Sequence, residues 1–109
     1  MRGFLLGLVL LSVLVLPAIA AANVRLVSVT SPIRHGAYAT LNVTVSRTAT
    51  CSITVYYKSG TSVAQGLYRK RGTRLSWTWK VGTRTTPGRW PIVVACGSEG
   101  RLQTSFVVT

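Results

Sequence analysis

The sequence is almost without acid. It has no aspartate, one glutamate (Glu99) and one histidine (His35) among 109 residues. That shortage excludes most hydrolytic chemistry. A glycosidase-type mechanism needs two carboxylates. A Ser–His–Asp triad lacks its Asp. A metal site needs several His, Cys or carboxylate ligands, and this inventory cannot supply them. The sequence therefore predicts no enzyme, no cofactor, no metal and no small-molecule substrate. His35 lies in "RHG" and Glu99 in "GSEG", both turn-like stretches. His35 reads as a solvent-exposed turn residue, and Glu99 as half of a surface pair with a nearby Arg, worth little.

A second shortage is of helix formers. No window has helical periodicity, and Val, Ile, Thr, Tyr and Trp dominate after the first 22 residues, as strands prefer. A third is of long apolar runs, with one exception at the start. Arg2 precedes "FLLGLVLLSVLVL", then Pro17 and "AIAAA". Positive start, apolar middle and small-residue end are the order of a secretory signal peptide. Residues 1–22 are thus expected to be removed after Ala20, Ala21 or Ala22, leaving 23–109 as one mature domain. The alternative is an uncleaved membrane anchor, since Phe4 to Ala22 approaches the roughly 20 residues that span a bilayer. Either way the domain is expected to lie outside the cell or at its surface, and it meets a membrane only if the anchor is kept.

Outside the cytoplasm, two cysteines read as a disulfide. Cys51 and Cys96 would close a loop of about 46 residues, worth very roughly 3–4 kcal/mol on chain-entropy grounds. A small domain with a modest core benefits from such a staple.

What is abundant is positive charge. The whole chain carries a net +12; without Arg2 the remainder holds nine Arg and three Lys against Glu99, a net +11. Such a field attracts polyanions: nucleic acid, acidic glycan or cell-wall polymer. The densest cluster is "YRKRGTR", with Tyr68, Arg69, Lys70, Arg71 and Arg74; "TRTTPGR", with Arg84 and Arg89, is a weaker second patch. Tyr56, an outward aromatic beside Lys58, is expected to cover a cross-strand neighbour. Asn42-Val43-Thr44 matches a glycosylation sequon, but it falls within a strand.

The strands follow from alternation. "VRLVSVT" (24–30) alternates with a slip between Leu26 and Val27, which signals a bulge or a change of sheet. From 37 to 46, Ala39, Leu41, Val43 and Val45 share one face. "RTAT" is expected to turn. "CSITVYYK" then places Cys51, Ile53, Val55 and Tyr57 together. Residues 59–73 read as a long connection with a short strand near 66–69. Leu75, Trp77, Trp79 and Val81 face inward, as do Trp90, Ile92, Val94 and Cys96. "GTRTTPG" (82–88) is a turn, and 102–109 closes the domain. The predicted core contains Leu41, Val43, Ile53, Val55, Trp77, Trp79, Trp90, Ile92 and Val94. Short strands at intervals of roughly ten residues predict an all-β fold: an antiparallel immunoglobulin-like β-sandwich of about seven strands, preceded by a signal peptide. In that layout the strands beginning at Cys51 and Trp90 are antiparallel neighbours, so both cysteines fall at the same end. The bridge of antibody domains joins different strands, and Val94 stands where those domains carry a corner Tyr.

"SPIRHGAYATLNVTV", "TCSITVYYKSGTS", "LSWTWKVGTRTTPGRWPIVVAC" and "TSFVVT" resemble small bacterial secreted immunoglobulin-like, or fibronectin III-like, domains of actinobacteria and related lineages. Those domains are often appended to nucleases, peptidases or surface proteins. The resemblance implies a non-catalytic accessory, adhesive or stabilising module outside the cell, with a protein or cell-surface polymer as partner. It supplies no catalytic residues. This chain departs from the group by its basic "YRKRGTR", and it is expected to carry no partner domain, which turns attention to the loop itself.

Overall fold

A computed structural model describes residues 23–109. The leader assigned to residues 1–22 lies outside the described residues. The architecture is an antiparallel β-sandwich. Its strands are β1 (Val24–Val29), β2 (Tyr38–Tyr57), β3 (Gly60–Thr61), β4 (Lys70–Lys80), β5 (Gly88–Ala95) and β6 (Arg101–Val108), with one 3₁₀ turn at Gly97–Glu99.

The long β2 belongs to both layers. Its first half pairs with β1 on one side and β4 on the other. Its second half pairs with β5, which pairs with β6. A straight strand of 20 residues would run about 66 Å. Instead the two ends of β2 meet. Trp79 pairs with Ala39 near the start of β2, and its Nε1–H donates to the Tyr57 hydroxyl at the end, at 3.2 Å. The strand is therefore folded back on itself. The corner lies between Thr44 and Ala49, where the register with β4 shifts. Residues 46–48 point to solvent and Ala49 returns to the core. So the chain reverses near "RTAT", but as a bulged corner with β4 paired on both sides of it rather than as a separate turn between two strands. The resulting division, β1–β2–β4 against β2–β5–β6, is the sheet membership of an immunoglobulin-like sandwich.

Elsewhere the connections depart from expectation. The bulge in β1 lies between Leu26 and Ser28. The chain then changes sheet: Ile33 forms a parallel bridge with Val108, and Ile33 N–H donates to Val107 O at 2.8 Å. The slip in the alternation thus precedes a real crossing. In the 59–73 connection, the short strand is Gly60–Thr61, paired with Tyr56 and Tyr57, not 66–69. Residues 65 and 66 turn, and Gly66 has φ +95°, a conformation that favours glycine. A Cβ at Gly66 would also overlap the Thr78 carbonyl. β4 starts at Lys70 because residues 49–51, just past the corner, offer it backbone partners.

The core fills the space between the layers. Trp77, Trp79, Leu41, Val43, Val55, Ile92, Val94 and Phe106 are fully enclosed, and Ile53 is buried at 7% exposure. Trp79 meets Phe106 of the other sheet edge-on, with centroids 5.7 Å apart, a favourable aromatic geometry. The enclosed indoles find acceptors: Trp77 Nε1–H donates to Tyr68 O at 2.7 Å. Trp90 is different. It is only half-buried against the core, and its Nε1–H donates to Thr86 O at 2.8 Å. Cys51 and Cys96 form the disulfide, with Cα atoms 4.1 Å apart, in line with the neighbouring Ser52–Ala95 pair of β2 and β5.

Tyr57 carries a pH dependence. Burial raises its phenol above the ordinary 10.0, partly offset by the Trp79 hydrogen bond. Its native acidity is thus weaker than its unfolded acidity, so it stabilises the fold fully below about pH 10. That contribution is lost as pH rises through the raised value. In alkaline urea titrations, wild-type stability should fall more steeply than that of Tyr57→Phe. Parallel curves would contradict the assignment.

Candidate polyanion-binding surface

The cations of "YRKRGTR" do not form one flexible loop. Tyr68 and Arg69 precede β4; Lys70, Arg71 and Arg74 stand on it, opposite Cys51, Thr50 and Thr44. Lys70 is turned toward the protein. Its Nζ donates to Ser76 O at 2.6 Å and lies 5.3 Å from the Tyr68 ring centroid. Together with the 62–69 segment, whose Tyr68 carbonyl receives Trp77, it covers the edge of β4 that β2 leaves open. A covered edge resists pairing with other chains. Arg71 Nη1 donates to Thr50 Oγ1 at 3.2 Å, and Arg89 Nη1 to Ser105 Oγ at 3.1 Å. The side-chain hydrogen bonds among the described residues do not engage the guanidinium groups of Arg69, Arg74 or Arg84, all of which are exposed.

The two basic patches sit at opposite ends of the sandwich. Lys70 lies across from Cys51, at the disulfide end. Arg101 joins this end, opposite Ala95. Arg47 in the β2 corner joins it too, and Arg25, opposite Thr44, flanks it. Arg84 and Arg89 are at the other end. Arg89 follows Gly88, which pairs with Val108. Arg84 shares with Lys58 a pocket of about 240 Å³. Sequence reading missed Arg25, Arg47 and Arg101. They are isolated in the chain, and only the sheet register gathers them.

The remaining polar groups serve structure. His35 Nδ1 lies 2.9 Å from Thr109 O and so ties its turn to the last residue. Glu99 is not paired as expected: it is half-buried, and its Oε1 has no hydrogen-bond partner among the described residues. Asn42 Nδ2 donates to Ser28 Oγ at 2.9 Å. Tyr56 is exposed opposite Thr61. Among the described residues there is no group of three potential metal ligands and no free cysteine. No described helix is long and apolar enough to cross a membrane. The arrangement can attract and hydrogen-bond anions across an outer surface, while the rings of Trp77 and Trp79 are closed to any ligand.

No family model matches the chain, and no curated protein matches it. Among solved structures, a crystal structure of the titin domains z1z2 in complex with telethonin is similar over 83% of this chain and 48% of that chain, with 14% identity and a TM-score of 0.48. The sandwich assignment stands on the strand pairings themselves.

Proposed function

We propose that this chain is a non-catalytic, immunoglobulin-like binding or structural module that acts outside the cytoplasm. The carrying observation is how its few reactive side chains are used: the two cysteines tie β2 to the residue that follows β5, and the lone His anchors the final residue. A disulfide suits an oxidising compartment, and the N-terminal pattern of charge, apolar run and small residues agrees with export.

The ligand we propose is a polyanion at the cell surface or in its surroundings. Its support is an outer surface rich in exposed Arg, with Glu99 as the single acidic side chain. Binding of the purified protein to heparin is the first test. Neutralising two or more anionic groups should cost at least about tenfold in affinity for a fourfold rise in salt. Salt-independent binding, or none at low salt, would contradict a polyanion ligand.

A further inference from the structure

We infer that the outer face of the β1–β2–β4 sheet is a binding site for a carboxylated polysaccharide. This rests on the polyanion reading and moves its centre from the 68–71 cluster to the sheet. The bulge at Val27 leaves that side chain 61% exposed, as one wall of a groove of about 420 Å³. Arg74 is the opposite wall, and between them lie Asn42, Thr44 and Ser76 together with the apolar Val43 and Leu75. The groove lies along a pairing row: Arg25 is opposite Thr44 on one side, and Arg74 is opposite Thr44 on the other. Two strand spacings separate the two Arg backbones, about 10 Å. A guanidinium fork suits a planar carboxylate.

The rest of the face continues the pattern. Beyond Asn42 and Ser76, Thr40 and Thr78 share a hydrogen bond of 2.9 Å. Beyond them Tyr38, 66% exposed, pairs with Lys80. Seven residues of β2, Tyr38 to Thr44, spanning about 20 Å, thus run from a cationic row through hydroxyls and an amide to a cation beside an aromatic ring. A chain of sugars offers matching chemistry: hydroxyls for the middle of the strip, carboxylates for its ends and a C–H face for Tyr38. Single-stranded nucleic acid fits less well. It needs successive exposed rings on which bases stack, and this face carries Tyr38 alone.

Titration calorimetry of the protein with a polygalacturonate oligosaccharide, its uncharged galactose counterpart and oligo(dT) tests the site. The acidic oligosaccharide should bind best. Arg74→Ala should weaken it about 10- to 100-fold, the size of a lost charge-assisted hydrogen bond. Arg71→Ala, with a cation removed at the β2 corner, should change it less than about threefold. Equal losses from the two variants would reduce the effect to the overall field and overturn the site, leaving a polyanion ligand intact. Tighter binding of oligo(dT) would overturn the polysaccharide. Failure of every anion to bind, at low salt, would remove the underlying reading as well.

Discussion

Replacing Trp79 by Ala is expected to cost about 3–5 kcal/mol, the range for deleting a fully buried large aromatic. Trp79 has no exposed surface. It lies on β4, packs edge-on against Phe106 of β6 and donates to Tyr57 at the end of β2. One side chain therefore joins both layers and both ends of the folded-back strand. A domain of this size has a total stability of about 4–13 kcal/mol at 0.05–0.15 kcal/mol per residue, so the loss is a large part of the whole. Thermal unfolding should report a midpoint lowered by some 12–40 °C. A shift of less than about 5 °C would mean that the two layers do not meet at Trp79.

Removing the disulfide by Cys51→Ala with Cys96→Ala is expected to cost about 3–4 kcal/mol. The two cysteines are 45 apart in sequence, and the loop they close contains β3, β4 and β5. Opening it lets the unfolded chain expand, while the β2–β5 ladder that aligns the two positions stays in place. The urea midpoint should fall, with the slope rising as the unfolded state exposes more surface. An unchanged midpoint would contradict a stapling role.

Much of this architecture is legible in the sequence for a simple reason. Alternation has a period of two, and one face of each strand is buried. Leu75, Trp77, Trp79 and Val81 share a parity, and all four are buried. Two cysteines in one chain leave a single intramolecular pairing. What alternation cannot specify is what happens at the ends of strands. "RTAT" has the composition of a turn, yet β2 pairs with the same strand, β4, on both sides of the corner. Trp90 has inward parity but sits early in β5, and the layers do not close over it.

The surface is harder to read, because its order is set by register rather than by neighbourhood in the chain. Arg69, Lys70 and Arg71 are adjacent in sequence, yet Lys70 is drawn onto the carbonyl of Ser76 and Arg71 onto Thr50. Arg25 and Arg74 are far apart in sequence and stand either side of Thr44. A search for charge runs finds the first group and passes over the second.

Tryptophan rings hold the layers together, while cations face the ligand. Tryptophan fluorescence tests this division most directly. Trp90 is half-buried, so Trp90→Phe leaves an emission that comes from Trp77 and Trp79 alone. In that variant, addition of a saturating polyanion at low salt should leave the emission maximum and the acrylamide quenching unchanged. A shifted maximum, or rings newly protected from the quencher when ligand is added, would show that the tryptophans meet the ligand and would contradict the account.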